Sequence, residues 1–221
     1  MTLAKQAAAM AAADLVTDGM VLGLGTGSTV AFFLDTLAAR GLDVRGIPTS
    51  DATAEACRRH GIELLGTADV EHVDLAVDGA DQLDRSLQLV KGGGGALLRE
   101  KVVAAMARRF VVIATVDKVV DRLADSFPLP VEVVPFAVSP VTRSITELGF
   151  EVATRAEGLQ LTDNGNAVLD CRLAGGISDA PSTDQRLRAL PGVVCTGLFL
   201  GMADLALLGD VDGTVERLER P

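Results

Sequence analysis

The sequence predicts an α/β protein with a doubly wound, Rossmann-like and mostly parallel sheet, and with a second, smaller α+β domain of the ferredoxin-like kind. Short apolar runs alternate with helical stretches through the first half of the chain, which is typical of parallel sheets joined by helices. Four of the eight prolines fall within residues 127–140, and proline disfavours helix interiors and central strands. We therefore expect the Rossmann-like catalytic domain at residues 1–128 and 203–221, and the smaller domain at 129–202.

The first domain is expected to begin with an amphipathic helix, followed by a buried strand that a glycine-rich turn connects to the next helix. The alternation then repeats along the chain. A last apolar run, residues 203–209, is expected to rejoin the same sheet. Helices are predicted at residues 4–16, 29–39, 52–60 and 96–108, and strands at 20–24, 44–48, 73–77 and 110–115.

The smaller domain is expected to combine strands with two helices. Its Asn164–Gly165 pair suits the tight turn of a hairpin. Near its end, residues 193–199 are expected to form one continuous strand. The other strands are predicted at residues 131–134, 151–154 and 167–171, and the helices at 141–148 and 183–189.

Composition excludes several classes of function. A net charge of -10 repels nucleic acids and acidic membranes, and aromatic residues make up only 3%, which leaves little on which bases could stack. No apolar run approaches the roughly 18 residues that cross a bilayer. The two histidines lack a metal-binding spacing, and the three cysteines are far apart without a CxxC motif. We expect a cytoplasmic protein with no metal, cofactor, nucleic-acid partner or membrane partner, and we interpret the cysteines as core residues.

The first candidate site is the segment GLGTGST, residues 23–29, between a predicted strand and a predicted helix. Backbone N–H groups, the helix dipole and hydroxyl groups can converge there on an anion such as phosphate. A dinucleotide-binding fingerprint would require glycine in place of Ser28, and a nucleotide-triphosphate loop would require a GK[ST] ending. Taken alone, the segment is equally compatible with a plain tight turn.

A second candidate site contains carboxylates. Asp78 ends a predicted strand and Asp81 follows three residues later. Open α/β sheets bind their ligands at the carboxyl edge of the strands, so two acids there suggest proton transfer. Asp84 adds a third acid, but the EF-hand spacing is missing, and we interpret Asp84 as a turn residue.

The third candidate site is the segment KGGGGALLREK, residues 91–101. Lys91 precedes four glycines, and Glu100 lies in the first turns of the following helix. Successive glycines let the backbone approach a ligand closely, at an entropic cost that a plain linker would rarely concentrate. The chain has sixteen Arg but four Lys, which favours a specific requirement for a compact ammonium group at Lys91.

The ordered set of motifs resembles the type A ribose-5-phosphate isomerase family. The resemblance covers nearly the whole chain, and although each motif alone is weakly specific, the set is highly specific. It implies a metal-independent aldose–ketose isomerase of the non-oxidative pentose phosphate pathway, which interconverts D-ribose 5-phosphate and D-ribulose 5-phosphate through a cis-enediolate. The matching segments are GLGTGST, SDAT (50–53), DGAD (78–81), KGGGGALLREK, TDNGN (162–166) and PGVVCTGLF (191–199).

The resemblance also implies a role for each matching residue. Glu100 would be the base that carries the proton between C1 and C2 of the open-chain sugar. Lys91 would stabilise the enediolate oxygen, and Asp81 would exchange protons with the substrate hydroxyls. Asp78 would help to open the furanose ring or to orient the sugar. The implied substrate-binding residues are Thr26, Gly27, Ser28, Thr29, Ser50, Asp51, Gly92, Gly93, Lys118 and Lys5, with the two lysines completing a phosphate site.

Two positions depart from the family pattern. Gln82 stands where the family commonly has Glu, which puts in doubt a role for a third acid in that cluster. Gly95 stands where the family commonly has Ala, and we expect it to loosen the turn slightly. We expect activity to be retained. The resemblance further implies a homodimer or a homotetramer, with the smaller domain at the interface.

Three alternatives remain open on the sequence. A sugar-phosphate deaminase or a CoA transferase would share this type of fold. The deaminase is disfavoured because this chain has no well-placed histidine. A sugar-phosphate sensor would keep the phosphate loop but would need neither Glu100 nor Lys91. A hydride-transfer enzyme would bind a nicotinamide cofactor.

Overall fold

The structure, a computed structural model, describes residues 1–155 and 161–220. The chain divides into two compact units. The first unit contains Met1–Ala80, Arg99–Val119 and Met202–Pro221, and the second contains Asp81–Leu98 and Val120–Gly201. Every helix in the described ranges is too short or too polar to cross a bilayer.

The first unit is built on a seven-stranded sheet in the order β14-β13-β7-β4-β1-β2-β3. All neighbouring strands are parallel except the β13–β14 pair. The expected α/β class with a mostly parallel sheet is therefore confirmed, and the run at 203–209 does rejoin the sheet. The strands are β1 (Val21–Leu24), β2 (Arg45–Pro48), β3 (Glu63–Leu64), β4 (Leu75–Asp78), β7 (Phe110–Thr115), β13 (Leu205–Gly209) and β14 (Val215–Glu219).

The strand order reverses direction between β1 and β4. From β1 the chain winds outward through β2 and β3, and it then returns to place β4 on the other side of β1. In sheets of this kind, ligands bind outside the carboxyl ends of the two strands at the reversal. The segment after β1 and the residues that end β4 are therefore neighbours at this edge.

Among the described residues, four helices belong wholly or mainly to the first unit, and the buried face of the first of them, α1 (Thr2–Ala13), is rich in alanine. On α1, five alanines are fully buried, including Ala8 and Ala12. Phe33 and Leu37 on α2 join the same core, together with the buried strand residues Leu22, Leu24 and Val77. The helices are α1 (Thr2–Ala13), α2 (Ser28–Arg40), α3 (Asp51–Arg59) and α4 (Leu97–Met106).

The second unit contains a four-stranded antiparallel sheet in the order β11-β8-β10-β9. With one helix after the first strand and one after the third, the chain order is strand, helix, strand, strand, helix, strand. That is the ferredoxin-like arrangement, as expected for the smaller domain. The elements are β8 (Leu129–Val133), α5 (Val138–Glu147), β9 (Glu151–Thr154), β10 (Ala167–Arg172), α6 (Ala180–Arg188) and β11 (Val193–Thr196).

A separate three-stranded sheet in the second unit was not predicted. It pairs β5 (Gln82–Leu83), β6 (Leu89–Val90) and β12 (Leu198–Phe199) in the order β12-β6-β5. Because β12 comes from the end of the smaller domain, this sheet draws residues 81–98 into the second unit. The division of the chain thus differs from the expected boundary at residue 128.

The prediction of one strand over residues 193–199 is wrong. The chain leaves the four-stranded sheet after Thr196 and enters the three-stranded sheet at Leu198. Gly197 lies at the junction, where its N–H donates to the Pro130 carbonyl at 2.7 Å and its carbonyl accepts from Lys91 N at 2.9 Å. A side chain at this position would start 2.3 Å from the Lys91 carbonyl oxygen.

Candidate active site

A cluster of hydroxyl groups lies after β1, at the reversal point of the sheet. Thr26 Oγ1 is 2.9 Å from Thr49 Oγ1, 2.9 Å from Ser50 Oγ and 3.1 Å from Thr53 Oγ1. Ser50 also caps α3, because its Oγ accepts from Thr53 N at 3.0 Å. We call Thr26, Thr49, Ser50 and Thr53 the hydroxyl cluster, and it holds the middle of the glycine-rich segment against the residues that follow β2.

Asp78, the last residue of β4, is tied to the same segment. Its Oδ1 accepts hydrogen bonds from Thr26 N at 3.0 Å and from Gly79 N at 2.7 Å. The side chain is only 4% exposed. A methyl group on Gly25 would lie 2.1 Å from Asp78 Oδ1, so the absence of a side chain at residue 25 is what lets the carboxylate occupy this place.

Glu100 lies on α4 and shares a recess with Asp78. The recess is tight and is lined by both carboxylates, by Gly23 and Gly25, and by apolar side chains that include Phe110. Glu100 is 6% exposed. Two carboxyl groups within one small, largely apolar recess form an arrangement suited to proton transfer.

Gly25→Ala is expected to lower the free energy of unfolding by about 1–3 kcal/mol, because the added methyl group forces Asp78 out of a tightly packed place. Gly79→Ala is the matched control, since a methyl group there meets nothing closer than 3.8 Å. Urea denaturation of the two variants measures the difference. Equal midpoints for Gly25→Ala and the wild type would contradict this packing argument.

The N-terminus of α2 is open to an anion. Gly27 occupies the cap position without a capping side chain, and the first turn contains no acid. Lys5, which is half-buried on α1, donates from Nζ to Ser28 Oγ at 2.8 Å. Thr29 is also half-buried in this turn. A helix N-terminus with a hydroxyl group and a lysine beside it favours phosphate.

Two further predicted residues of the first unit lie outside the hydroxyl cluster. Asp51 begins α3, where its exposed carboxylate is 2.8 Å from Arg99 Nη1. Lys118 ends a short 3₁₀ helix that directly follows β7, and it is half-buried. Lys118 is therefore close in sequence to the carboxyl end of its strand, as a ligand-binding residue of this fold would be.

In the second unit, Asp81 is held by the glycine run, residues 92–95. Its Oδ2 accepts from Gly93 N at 2.7 Å, and its own N–H donates to the Val90 carbonyl at 2.9 Å. A methyl group on Gly93 would lie 2.6 Å from Asp81 Oδ1. The absence of a side chain at residue 93 therefore permits a close approach of the backbone to the Asp81 carboxylate.

Lys91, just before the glycine run, is buried at 3% exposure. Its backbone N–H donates to the Gly197 carbonyl at 2.9 Å, and its Nζ lies 5.4 Å from the centre of the Phe199 ring. A cation over an aromatic face is stabilised electrostatically. Sequence reasoning did not identify Phe199, whose position depends on the pairing of β12 with β6.

The two departures from the family pattern have structural explanations. Gln82 is buried, with Nε2 donating to Ser126 Oγ at 2.7 Å and Oε1 accepting from Ala124 N at 2.7 Å. It therefore anchors a loop within the second unit. Gly95 has a φ of +79°, a conformation that strains residues other than glycine, so glycine suits this position of the turn.

Asp84 is a turn residue, as interpreted from the sequence. Its Oδ1 accepts from Ser86 N at 2.8 Å and from Gln88 N at 2.9 Å. Within residues 1–155 and 161–220, no group of three or more His, Cys, Asp and Glu side chains could hold a metal ion.

All three cysteines are buried, in agreement with their interpretation as core residues. Burial raises the pKa of the Cys57 thiol to about 11 and that of the Cys171 thiol to about 12. Because the thiolate is the reactive form, these two thiols are poor nucleophiles near neutral pH.

Hydroxyl groups beside an open helix N-terminus, together with buried carboxylates at the reversal point of a parallel sheet, are typical of one class of protein, the α/β enzymes that act on small anionic substrates. Residues 45–213 match the family model for ribose 5-phosphate isomerase A (phosphoriboisomerase A). The chain is 49% identical to ribose-5-phosphate isomerase A of Roseiflexus sp. (strain RS-1), covering 97% of this chain and 95% of the relative. It is 48% identical to the enzyme of that name from Methylorubrum extorquens, covering 95% and 93%.

Solved structures agree with the sequence comparison. Ribose 5-phosphate isomerase A from Methanocaldococcus jannaschii superimposes with a TM-score of 0.92 at 40% identity, covering 97% of each chain. A D-ribose-5-phosphate isomerase in complex with phospho-erythronic acid superimposes with a TM-score of 0.94 at 36% identity, covering 98% of this chain and 97% of that one. The chain belongs to the ribose 5-phosphate isomerase A family.

Proposed function

We propose that this chain interconverts D-ribose 5-phosphate and D-ribulose 5-phosphate, the reaction for which its family is named. The observation that carries the proposal is the recess in which Glu100, on a helix, lies with Asp78, at the end of a central strand. A buried carboxylate at the ligand-binding edge of the sheet is the group that an aldose–ketose isomerisation requires, because a proton must move between two adjacent carbons.

In the proposed reaction, Glu100 removes the C2 proton of the open-chain aldose, and the electron pair of that C–H bond forms the C1=C2 double bond of a cis-enediolate. The negative charge then lies on O1. Transfer of the O2 proton to O1 moves the charge to O2, and the C2 carbonyl forms as C1 takes the proton back from Glu100. The product is the ketose, and the base returns to its starting state.

The other groups stabilise this sequence of steps. Lys91 supplies a positive charge to the enediolate oxygen, a role worth typically about 10²- to 10³-fold in rate. Asp81 exchanges protons with the substrate hydroxyls, and Asp78 assists ring opening or orients the sugar. The glycine residues Gly92 and Gly93 contribute backbone groups beside Asp81.

The phosphate is proposed to bind at the N-terminus of α2. Support comes from the open helix end, the contact between Lys5 and Ser28, and the nearby hydroxyl group of Thr29. Lys118 would add a second cation, and Ser50 and Asp51 would contact the sugar. A relative's complex with phospho-erythronic acid, a phosphorylated sugar acid, is consistent with an anion site of this kind.

Conversion of ribose 5-phosphate to ribulose 5-phosphate by the purified chain in excess EDTA tests the proposed function. We expect turnover that EDTA does not diminish. A folded chain that binds ribose 5-phosphate but does not convert it would overturn the proposal and would favour the sugar-phosphate sensor. Saturable binding of NADH would instead favour hydride transfer.

We also propose that the chain forms a homo-oligomer through its smaller unit, as a dimer or a tetramer. Phe136 is 97% exposed and lies beside an apolar groove of about 430 Å³ that includes Leu190 and Pro191. A two-fold interface uses the same patch on both copies, so the Phe136 of each copy can enter the groove of the other.

The three buried thiols support a reducing, cytoplasmic compartment for this chain.

Phe136→Ser is expected to convert the oligomer to a 22.9 kDa monomer at micromolar concentration, because it removes the apolar side chain that fills the groove. Light scattering coupled to gel filtration measures the mass. Val211→Ser, at a residue of the first unit that is 67% exposed, is the control and should leave the mass unchanged. A monomeric wild type, or an oligomeric Phe136→Ser variant, would refute this interface.

A further inference from the structure

We propose that Arg155 is a positioning residue for the isomerase reaction, acting on Asp81 through the peptide group that joins Gly92 and Gly93. This inference rests on the proposed role of Asp81. Arg155 lies directly after β9, 62 residues from Gly93 in the sequence, and no motif of the chain includes it.

The guanidinium group of Arg155 donates hydrogen bonds in two directions, to the glycine run and to Asp170. Nη1 donates to the Gly92 carbonyl at 2.8 Å and to the Gly93 carbonyl at 3.0 Å. Nε donates to Asp170 Oδ2 at 2.9 Å, and Nη2 pairs with Asp170 Oδ1. Both side chains are 22% exposed. Asp170 thus fixes the arginine from one side while the arginine holds the glycine run from the other.

One peptide group receives contacts at both of its polar atoms. The Gly92 carbonyl accepts from Arg155, and the Gly93 N–H of the same peptide donates to Asp81 Oδ2 at 2.7 Å. A positive charge on the carbonyl side polarises the peptide, which makes its N–H a stronger donor. Arg155 therefore both orients this N–H and strengthens the hydrogen bond that holds the Asp81 carboxylate.

The glycine run needs such a restraint. Four successive glycines have no side chains with which to fix their backbone, and they have more conformational freedom than any other residues. A lysine could not replace the arginine, because its single ammonium group cannot pair with Asp170 in a planar, two-bond contact while donating to two carbonyls. Loss of the restraint should let the Gly93 N–H, and with it Asp81, move away from the productive geometry.

Arg155→Lys is the test, with Arg172→Lys as its control. Arg172 is exposed on β10, close to Asp170 in sequence. We expect Arg155→Lys to lower kcat about 10- to 100-fold, as small misplacements of reacting groups do, with KM changed less than about threefold because the phosphate site is intact. In an Asp81→Asn background the same substitution should cost less than about twofold, since its target is already lost.

Amide hydrogen exchange gives a readout that does not depend on turnover. We expect residues 92–94 to exchange at least about tenfold faster in Arg155→Lys than in Arg172→Lys. An active wild type with an unchanged kcat in Arg155→Lys, or with equal costs in the two Asp81 backgrounds, would overturn the role of Arg155 alone. Unchanged exchange would do the same. An inactive wild type would overturn the proposed function, and with it the relevance of this contact to catalysis.

Discussion

Glu100→Gln is expected to lower the turnover of ribose 5-phosphate by at least about 10²-fold, and by up to about 10⁴-fold, the usual contribution of a general base. Glutamine has the same shape as glutamate but cannot accept the C2 proton as a carboxylate does. Glu100 is buried in its recess, so bulk water is poorly placed to replace it. The fold should be retained, because the substitution changes no volume.

Two measurements together test this result. The first is the rate of ketose formation in excess EDTA, and the second is the exchange of the substrate C2 hydrogen with D₂O, which should be lost to a similar extent. Glu147→Gln, at an exposed residue that ends α5, serves as the control and should behave like the wild type. If a folded Glu100→Gln variant kept a third of the wild-type rate, the base would have to be another group.

Lys91→Met should lower kcat by about 10²- to 10³-fold, the range for one donor aimed at a developing oxyanion. Methionine preserves the length of the apolar part of the side chain and can contact the Phe199 ring favourably through its sulfur, so burial at 3% exposure remains satisfied. The charge is lost while the packing is kept. Since the charge matters chiefly when the enediolate forms, kcat and kcat/KM should fall together.

Steady-state kinetics of Lys91→Met and Lys101→Met distinguish a specific effect of the Lys91 charge from the general effect of losing one positive charge. Of the four lysines in the sequence, Lys101 is the one with no proposed role in the reaction. A raised KM with an unchanged kcat in Lys91→Met would mean that the lysine binds the substrate uniformly and does not act on the enediolate.

Much of the first unit was predictable because its strands are buried on both faces. Such strands are continuous apolar runs, and β7 was predicted at its observed bounds, Phe110–Thr115. The edge strand β14, Val215–Glu219, was missed because its exposed, charged residues resemble those of a loop. The two-residue strands β5 and β6 are too short for any periodicity to indicate them.

The residues of the candidate site likewise fall into those that the sequence could indicate and those that it could not. The sequence proposed Asp78 and Lys91, which stand beside glycines, and Glu100, in the first turns of the helix after the glycine run, because glycine-rich segments at strand ends indicate ligand binding. It gave no role to Arg155, or to Phe199 at the end of a matching segment, because each reaches its contact through strand pairings between distant parts of the sequence. Thr49 belongs to none of the candidate segments of the sequence, yet its hydroxyl group joins the hydroxyl cluster.

The contact between Gly25 and Asp78 has a consequence for redesign of the enzyme. Residue 25 is restricted by volume alone, because even a methyl group would lie 2.1 Å from the carboxylate oxygen. A library intended to alter sugar preference should therefore keep glycine at position 25, because any larger residue there displaces an acid of the candidate active site.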